Sequence, residues 1–354
     1  MVRKILERRL KNVKAIFYTA GNKVECKEVN KPNVPPGYVL LKNAYAGICG
    51  TDLNIFAGTH PRAQAPLILG HEFSATIASE HPKYPIGTKV TVNPLISCGT
   101  CIPCRIGQSH VCNNLKLVGI DVDGGMADYV AVEANKVIPL PENVSLKLGA
   151  LTEPIAVAVH AVRTAKFLVG DRAVVYGAGT IGLCVALTLR AFGASEVIVV
   201  EANELRLQKA QQLGFKTFNS LKDDVENELA DMTNQEGIDY VFDCAGHPAV
   251  LAQVTEIVKV QGTIVIVAAY KKPTEMNLIQ GMFKELSIQF VRVYTNRDME
   301  LALDLLSRFE EFSKIITHVL SPEQAMEGFE LLTTPTDAIK VLYAFQEETD
   351  ASII

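Results

Sequence analysis

Short apolar stretches punctuated by glycine and proline characterise the first part of the chain, residues 13–145. Examples are Val39-Leu40-Leu41 and Lys89-Val90-Thr91-Val92, and no apolar period of helix length stands out among them. Apolar runs of about four to eight residues, bounded by turn-forming residues, are typical of buried strands. The sequence therefore predicts that this part of the chain is rich in β-structure.

From about residue 166 the pattern changes to an alternation of strands and helices. Strands that alternate with helices are typical of a parallel sheet with right-handed crossovers. Because 354 residues exceed one ordinary domain, we expect an α/β protein of two domains. The elements predicted in this part are strands at 172–176, 196–201, 240–242, 263–267 and 340–345, and helices ending near 192 and spanning about 204–213 and 299–307.

Composition and charge narrow the classes of partner. Hydrophobic residues make up 48% and charged residues 21%, as in ordinary folded proteins. The net charge of −5, without a long run of one sign, gives no electrostatic footprint for nucleic acid or an anionic membrane. The apolar stretches are shorter than the roughly 20 residues of a membrane span. The N-terminal segment 1–14 is basic and lacks the apolar core of a secretory signal, so we interpret it as an exposed extension of a cytoplasmic protein.

A glycine-rich turn directly follows the strand at 172–176. The segment Gly177-Ala178-Gly179-Thr180-Ile181-Gly182 fits G-x-G-x-x-G, a pattern that binds dinucleotides when it follows a strand and opens a helix. Gly177 permits the tight turn, Gly179 lets the backbone approach a pyrophosphate, and Gly182 lets the helix pack closely on the strand. The N–H groups of the helix N-terminus then face the phosphates. The alternative is a glycine turn without a ligand.

Glu201 ends the next strand, where a carboxylate can accept hydrogen bonds from the adenosine ribose hydroxyls. A carboxylate would repel a 2′-phosphate, so we prefer NAD to NADP, although the nearby Arg206 leaves NADP open. The segment 243–246 follows a later strand, at the edge where open α/β sheets bind ligands. The predicted cofactor-binding residues are Gly177, Gly179, Thr180, Ile181, Gly182, Glu201, Arg206, Cys244, Ala245 and Val267.

Four cysteines lie within fifteen residues, in the pattern Cys98-x2-Cys101-x2-Cys104-x7-Cys112. They are too close together for an ordinary disulfide framework, and such clustering more often indicates a metal. Four thiolates can surround one zinc ion tetrahedrally and leave no position open, so the predicted site is structural. An iron–sulfur cluster also takes four cysteines, but the ferredoxin-type x3 spacing and following proline are absent. Reactive or disulfide-bonded cysteines are the remaining alternative.

A second metal site is indicated by scattered residues. Cys49, His71 and Glu153 are a thiolate, an imidazole and a carboxylate, and each lies beside glycine or at the start of a predicted helix. Three such ligands can hold zinc and leave a position open for substrate. From the residues alone the trio is only suggestive, because a lone cysteine in an apolar stretch usually belongs to the core.

Together these motifs resemble the zinc-containing medium-chain alcohol dehydrogenases over nearly the whole chain. Within that family the chain is most similar to the branch of sorbitol, threonine, butanediol and sugar-acid (galactonate or gulonate) dehydrogenases. The motifs that carry the resemblance are GICGTD at 47–52, GHE at 70–72, the four-cysteine segment, TEPIAVAVHA at 152–161, YGAGTIG at 176–182 and FDCAG at 242–246.

The resemblance implies the domain organisation and the assembly. It implies a GroES-like, β-rich catalytic domain and a doubly wound, parallel-sheet Rossmann domain, with the active site between them. It also implies a homo-oligomer, either a tetramer or a dimer. The expected boundaries are 1–165 for the catalytic domain, with a structural-zinc lobe at 95–115, then 166–300 for the NAD-binding Rossmann domain and 301–354 for a segment that returns to the catalytic domain.

The resemblance further implies roles for the residues of the scattered site. Cys49, His71 and Glu153 are expected to bind a catalytic zinc, with Glu72 as a neighbouring or alternate ligand. Thr51 is expected to accept the proton of the substrate hydroxyl and pass it on. In relatives the proton relay usually ends in a histidine three residues beyond Thr51, where this chain has Asn54. We therefore expect the proton to leave through water or through His60.

The implied reaction is hydride transfer between NAD and a secondary alcohol. Arg292 falls where sorbitol dehydrogenase-like enzymes carry an arginine toward the substrate, and the alternative is a surface salt bridge. Phe56 is expected to form a pocket wall. The acid-rich aromatic insert of threonine dehydrogenases is absent, so we expect a polyol or sugar acid first, and threonine or 2,3-butanediol second. A non-catalytic zinc-binding structural or regulatory protein is the alternative from another class, and the loss of a zinc ligand would be its sign.

Overall fold

A computed structural model describes residues 12–346, and the chain divides into two compact units. Of the described residues, the first unit comprises 12–153 and 316–346, and the second comprises Pro154–Ile315. The sequence places the boundaries at 165 and 300 instead. The difference arises because most of one helix, Thr152–Thr164, and the whole of another, Asn296–Arg308, belong to the second unit.

The first unit contains mostly antiparallel strands and a few short helices. Its strands are β1 (Asn12–Ala20), β2 (Lys23–Asn30), β3 (Tyr38–Gly47), β4 (Leu67–Ile68), β5 (Glu72–Ile77), β6 (Lys89–Val92), β7 (Leu95–Ile96), β8 (Lys116–Leu117), β9 (Tyr129–Glu133), β10 (Val137–Pro139), β17 (Ile316–Leu320) and β18 (Lys340–Ala344). Its helices are α1 (Gly50–Phe56), α2 (Ile102–Arg105), α3 (Leu146–Gly149) and α11 (Ala325–Thr333), and α4 (Thr152–Thr164) begins at its boundary. The strands form sheets of order β2-β1-β4 and β10-β6-β5-β3-β18-β17, with β9 also paired to β3, and a separate pair β7-β8.

Strand β3 lies in the middle of the larger sheet and is buried almost throughout its length. Its apolar run Val39-Leu40-Leu41 explains this position, because a strand covered on both faces needs apolar side chains on both. At the carboxyl end of β3, Gly47 pairs with Glu72 of β5 on one side and with Leu342 of β18 on the other. The register of the sheet therefore brings the segments that carry Cys49 and His71 together.

The second unit is a parallel sheet flanked by helices. Its strands are β11 (Arg172–Tyr176), β12 (Glu196–Glu201), β13 (Lys216–Asn219), β14 (Ile238–Asp243), β15 (Val258–Ile266) and β16 (Ser287–Phe290). Its further helices are α5 (Thr180–Ala191), α6 (Glu204–Gln212), α7 (Val225–Met232), α8 (Pro248–Ile257), α9 (Leu278–Phe283) and α10 (Asn296–Arg308). The strand order is β13-β12-β11-β14-β15-β16, which is the doubly wound order with its ligand-binding crevice beside β11 and β14. The predicted α/β fold class is confirmed.

The predicted elements of the second unit are found where the sequence is strongly apolar. The strands at 172–176 and 196–201 and the helices that follow them are confirmed almost to the residue. The edge strands β13 and β16 are not predicted, because each is four residues long and partly polar, as a strand with one uncovered edge can be. The predicted basic extension begins in residues 1–11, outside the described residues. Among the helices of residues 12–346, none has the length and hydrophobicity needed to cross a bilayer.

Candidate metal centres and dinucleotide site

Cys49, His71 and Glu72 converge at the carboxyl end of β3. One sulfur, one imidazole nitrogen and one carboxylate oxygen from these residues all lie within 4.8 Å of one another. Cys49 is the N-cap of α1, and its thiol sulfur accepts the backbone N–H of Thr51 at 3.5 Å. His71 and Glu72 are buried, with 3% and 1% of their surface exposed. Donor atoms this close together can share one ion.

Glu153, the third ligand expected from the resemblance, lies in the first turn of α4 and is buried. It is not one of the three residues whose donor atoms lie within 4.8 Å of one another. It is nevertheless close, because its charge acts on His71. Burial lowers the pKa of His71, but the negative charges of Cys49, Asp52 and Glu153 outweigh burial and raise that pKa well above its usual value. The structure thus groups Glu72 with Cys49 and His71, and places Glu153 at the edge of the same charged cluster.

Asp52 is a buried carboxylate beside His71 that the sequence does not single out. One of its oxygens accepts the backbone N–H of Cys49 at 2.9 Å, and the other lies 3.8 Å from Nδ1 of His71. Metal-binding histidines commonly place one ring nitrogen against a carboxylate, which orients the ring and leaves the other nitrogen for the ion. The feature of the sequence that could have identified Asp52 is its position three residues after the N-cap Cys49, where an acidic side chain completes a capping box.

Lys340 is the second residue of the centre that sequence reasoning misses. It is fully buried, forms an ion pair with Glu72, and donates from Nζ to the carbonyl of Ile48 at 2.8 Å. Burial lowers its pKa, but the charges of Glu72 and Cys49 outweigh burial and raise it. A Cβ at Gly47 would come within 2.7 Å of both Glu72 and Lys340, so this ion pair requires glycine there. The signal in the sequence is a lysine at the start of the otherwise apolar last strand.

The donor set fits a zinc ion. Burial raises the pKa of the Cys49 thiol, and the charge of Glu72 adds to the rise. A thiol, an imidazole and two carboxyl groups so close together carry more negative charge, once ionised, than the single ammonium of Lys340 balances. Buried charges are costly unless they are paired or bind a metal. A thiolate, an imidazole and a carboxylate are also the ligand types of catalytic zinc sites.

The four cysteines of the lobe also come together. The sulfur of Cys101 lies 3.4 Å from that of Cys104 and 3.7 Å from that of Cys112, and the sulfur of Cys98 lies 3.5 Å from that of Cys112. All eight cysteines of the chain are free. Four sulfurs bound to one zinc at about 2.3 Å would be separated by about 3.8 Å, close to these distances. Backbone N–H groups of Cys98, Cys101 and Asn114 donate to lobe sulfurs at 3.3 to 3.4 Å, as thiolates require.

Thr51, Asn54 and His60 occupy the region where a proton relay is expected. Thr51 is half-buried in the first turn of α1, and the carbonyl of Asn54 accepts the backbone N–H of His60 at 3.2 Å. Nδ1 of His60 accepts the backbone N–H groups of Arg62 and Ala63 at 3.3 and 3.1 Å. Because that nitrogen is already engaged as an acceptor, the ring is a poor base. The geometry therefore argues against the expected role of His60 as the end of the relay.

The glycine turn has the geometry that each glycine was expected to provide. Gly177 has a φ of +95°, which favours glycine. A Cβ at Gly182 would lie 1.7 Å from the carbonyl oxygen of Gly177, so the close approach of α5 to the turn excludes any other residue. At Gly179 a Cβ would meet no atom within 4 Å, which leaves the turn open to a ligand. The turn can therefore receive a phosphate.

A cavity of about 390 Å³ opens beside this turn within the second unit. Glu201 lines it, and its carboxylate accepts the backbone N–H groups of Ala178, Ala202 and Asn203 at 2.7 to 2.8 Å. Arg206 also lines it, with a buried Nε that has no hydrogen-bond partner among the described residues.

Six of the ten predicted cofactor residues line this cavity, namely Gly177, Gly179, Glu201, Arg206, Cys244 and Ala245. The lining does not include the other four, Thr180, Ile181, Gly182 and Val267. The lining residues that were not predicted include Tyr176, Ser220 and His247.

The two residues predicted to contact substrate lie in different units. Phe56, at the end of α1, is buried in the first unit with its ring centroid 5.1 Å from that of Phe329. Arg292 is exposed in the second unit, in the segment that joins β16 to α10. The next residue, Val293, has a φ of +48°, which is strained for a β-branched side chain. Both substrate contacts stay predictions.

Two family patterns match the chain. The alcohol dehydrogenase GroES-like domain matches residues 35–142, and the zinc-binding dehydrogenase domain matches residues 180–308. The first match contains Cys49, His71 and the cysteine lobe. The second contains the helix after the glycine turn. The expected GroES-like domain is therefore confirmed together with the parallel-sheet domain.

Relatives and solved structures extend the match to most of the chain. A 2-dehydro-3-deoxy-L-galactonate 5-dehydrogenase of Pseudoalteromonas atlantica is 38% identical over 77% of this chain and 80% of its own. An L-threonine 3-dehydrogenase of Bacillus velezensis is 33% identical over 86% of this chain and 91% of its own. The crystal structure of 2R,3R-butanediol dehydrogenase from Bacillus subtilis has a TM-score of 0.87 at 30% identity, over 94% of this chain and 99% of its own.

Two more solved structures carry a nicotinamide dinucleotide. An alcohol dehydrogenase from Escherichia coli is complexed with NADH and is 28% identical, and a zinc-binding dehydrogenase from Sinorhizobium meliloti is bound to NADP and is 27% identical. Each has a TM-score of 0.87 over 94% of this chain and 99% of its own. Both cysteine-containing sites of this chain can hold zinc, and the relatives match it over both units. The chain is an oxidoreductase that belongs to the zinc-containing medium-chain alcohol dehydrogenase family.

Proposed function

We propose that this protein is an NAD-dependent zinc dehydrogenase that transfers a hydride between NAD and a secondary alcohol of a polyol or sugar acid. The observation that carries the proposal is the convergence of Cys49, His71 and Glu72 within 4.8 Å, beside the buried charges of Glu153 and Lys340. When bound, zinc supplies Lewis acidity, which lowers the pKa of an alcohol held there. A protein that uses zinc only for its structure has no need of a site with fewer than four protein ligands.

Cys49 and His71 are proposed as fixed ligands, and the two glutamates as alternative carboxylate donors. Glu72 is grouped with the other two donors and is held by Lys340, whereas Glu153 approaches from α4. The Asp52 carboxylate lies 3.8 Å from Nδ1 of His71, too far for a direct hydrogen bond, and we propose that its charge favours the orientation that leaves the other ring nitrogen to the ion. A zinc ion held by three of these residues would leave a coordination position for the substrate oxygen.

Thr51 is proposed to move the proton that the alcohol loses. Its hydroxyl can accept and donate at once, and it stands two residues from Cys49 on the first turn of α1. The side chain of Asn54 is an amide and cannot act as a base near neutral pH. Since Nδ1 of His60 is engaged by two backbone N–H groups, water is the proposed carrier from Thr51 to solvent.

NAD is proposed as the cofactor on the strength of Glu201. Its carboxylate is fixed by three backbone N–H groups and still has lone pairs for the ribose hydroxyls, while its charge opposes a 2′-phosphate. Arg206 is the feature that would favour NADP, because its side chain lines the same cavity and its buried Nε has no hydrogen-bond partner among the described residues. The neighbouring solved structures include one with NADH and one with NADP, so a direct comparison of both cofactors tests the preference.

Among the substrate classes, a polyol or sugar acid is proposed first. A galactonate-type dehydrogenase is 38% identical to this chain, against 33% for an L-threonine dehydrogenase. Threonine and 2,3-butanediol remain the second candidates, since the corresponding relatives cover more of the chain. Arg292 is proposed to bind substrate oxygens or a carboxylate, and Phe56 to pack beside them.

The experiment is a screen of NAD reduction with polyols, aldonates, threonine and 2,3-butanediol, repeated with NADP. We expect turnover with a polyol or aldonate, about two zinc ions per chain by elemental analysis, and loss of turnover when a chelator removes the metal. Turnover of threonine or butanediol alone would favour the second candidates. Two bound zinc ions without turnover of any substrate would favour the non-catalytic alternative.

The assembly and the compartment stay predictions. Large apolar side chains are exposed along helix α9 and at the end of the edge strand β16, namely Leu278, Ile279, Met282, Phe283 and Phe290. Apolar patches of this kind commonly mark contacts between proteins, which supports a homo-oligomer. Light scattering in solution tests for the proposed tetramer or dimer, and cell fractionation tests for a cytoplasmic location.

A further inference from the structure

The dipeptide His-Pro occurs three times in this chain and makes the same turn each time. The histidine Nδ1 accepts the backbone N–H of the residue after the proline, because proline fixes φ and has no N–H of its own. In two of the turns the following N–H donates to the same nitrogen. The donors are Arg62 and Ala63 to His60 at 3.3 and 3.1 Å, Lys83 and Tyr84 to His81 at 3.0 and 3.2 Å, and Ala249 to His247 at 3.2 Å.

This turn selects the tautomer of the ring. When Nδ1 accepts hydrogen bonds, a neutral imidazole carries its hydrogen on Nε2. Adding a proton to Nδ1 of His60 would break both hydrogen bonds and place the new N–H against the backbone N–H groups of Arg62 and Ala63. Burial lowers the pKa of His60, and the positive charge of Arg62 lowers it further. His60 is therefore a neutral N–H donor and not a base.

The Nε2–H groups of two of these histidines differ in what they contact. Nε2 of His81 lies 3.0 Å from the carbonyl of Ala134, so its hydrogen is used within the protein. Nε2 of His60 has no acceptor among the residues that the structure describes, although the ring is half-buried. The ring of His60 thus carries one donor that the protein does not satisfy.

The turn is bound to the helix that begins at the candidate catalytic centre. The backbone N–H of His60 donates to Asn54 of α1, the helix whose N-cap is Cys49. The guanidinium of Arg62 makes two contacts of 3.1 Å with the carboxylate of Asp121, which ties the turn to the segment after the cysteine lobe. The charged and titratable groups that act on His60 are Arg62, Asp121 and His71, and the last of these is a candidate metal ligand.

We propose that His60 donates a hydrogen bond from Nε2 to a substrate oxygen next to the reacting carbon, and so selects secondary alcohols that carry a neighbouring hydroxyl or carboxylate. This inference rests on the proposed dehydrogenase function. A neighbouring oxygen can accept this bond, whereas a simple secondary alcohol has nothing to offer it. His60 is then a specificity-determining residue of the site.

Two substitutions separate the two nitrogens of the ring. His60→Asn keeps an acceptor where Nδ1 lies and removes the Nε2 donor, whereas His60→Gln carries an N–H to about the position of Nε2. With a polyol or aldonate we expect His60→Asn to lower kcat/KM about tenfold, mainly through KM, and His60→Gln to restore most of the loss. With a simple secondary alcohol such as 2-propanol, both variants should match the wild type. His81→Asn, the same change in the matched turn, should alter neither substrate.

Three kinetic outcomes would overturn the inference. Loss of an ionisation from the pH profile of kcat/KM in His60→Asn would show that His60 acts as a base. An equal loss with 2-propanol and with the polyol would show a structural role. Unchanged kinetics with every substrate would show that His60 touches none of them.

A measurement without turnover distinguishes this inference from the proposed function. Hydrogen exchange at the C2 position of each histidine, followed by mass spectrometry, reports the pKa of His60 in the intact protein. We expect a pKa below the ordinary value of about 6.5. A pKa above that value would refute the donor assignment even if the enzyme is active. If no alcohol is oxidised, the proposed function fails, while the exchange result still decides the state of His60.

Discussion

In the cysteine lobe all four candidate metal donors come from fifteen consecutive residues, whereas the converging donors of the candidate catalytic centre come from positions 49, 71 and 72, with the charge of Glu153 nearby. The lobe sulfurs are bound by backbone N–H groups of the same loop. The catalytic donors depend on the register of three strands and on a lysine from the last of them. One centre is therefore encoded locally, and the other is encoded by the fold as a whole.

The difference predicts which property, stability or activity, is lost when a residue of each centre is substituted. A closed four-cysteine site contributes to folding and leaves no position for substrate. A site assembled from distant strands with one position free contributes to chemistry, and it can be disturbed without loss of the fold. Substitutions in the two centres should therefore separate activity from stability.

His71→Ala should abolish turnover while the protein stays folded. Removing this donor weakens the hold on an ion that contributes several kcal/mol to the reaction, so we expect a loss of kcat/KM on the order of 10⁴-fold. Zinc content should fall from about two ions per chain to about one, measured by elemental analysis beside thermal unfolding. His81→Ala, in the same unit, is the control that should keep both ions. A variant with two zinc ions and near-normal turnover would remove His71 from the centre.

Cys104→Ser should have the opposite effect to His71→Ala, because it should lower the stability of the protein more than its activity. Losing one sulfur of a closed site is expected to cost about 4 kcal/mol or more in the free energy of unfolding, as the loss of a structural metal does elsewhere. The remaining folded protein should still bind zinc at Cys49 and His71. Urea unfolding with zinc analysis measures both, and Cys26→Ser, a free cysteine on β2, is the matched control. Full loss of turnover with unchanged stability would contradict a structural role.

Gly47→Ala tests the dependence of the catalytic centre on its surroundings. The added Cβ would meet Glu72 and Lys340 at 2.7 Å, so the ion pair must shift. A displacement of about 1 Å at a catalytic group can cost about 100-fold in rate, and we expect a loss of that order in kcat. The lobe zinc should be unaffected. Gly21→Ala, where a Cβ meets no atom within 4 Å, is the control, and equal effects of both variants would argue against this explanation.

The same contrast explains what the sequence could predict. The lobe and the glycine turn are contiguous, so spacing alone predicts the metal donors and the tight approach at Gly182. The residue types only suggest Cys49 and His71 as ligands, and the resemblance is what assigns them that role, because no local pattern shows that two segments share an ion. Lys340 and Asp52 could not be predicted, since a single lysine in a strand or an acid at a helix start has many ordinary explanations.

The position of Glu153 and the role of His60 show a second limit. Which of two glutamates stands nearer to Cys49 depends on side-chain placement after the strands and α4 have packed, and no spacing encodes it. The tautomer of His60 depends on a turn of only four residues, 60–63, and that signal was present in the sequence as His-Pro. It becomes interpretable only when the three turns are compared in the structure. Short-range geometry is thus predictable where its recurring form is recognised.

Helix α4 begins with Thr152 and Glu153, and its other end is bound to a buried carboxylate of the second unit. Asp298 accepts from His160 at 2.9 Å and also pairs with Arg163. Burial raises the pKa of Asp298, but the hydrogen bonds from His160, Thr295 and Arg163 outweigh burial and lower it. Asp298 therefore holds the later part of α4 within the second unit, whereas the cysteine lobe belongs to the first unit.

Asp298→Asn should therefore destabilise the protein by about 1–3 kcal/mol at neutral pH, because a buried ionic hydrogen-bonded group is lost. Since the pKa of Asp298 is lower in the folded than in the unfolded state, its stabilisation is present above the unfolded value of about 3.9 and is lost as pH falls below it. The difference from the wild type should shrink between pH 5 and pH 2 in urea unfolding. Asp304→Asn, an exposed acid on the same helix, should show little effect at any pH. A difference that persists unchanged at low pH would show that packing, and not the charge of Asp298, anchors α4.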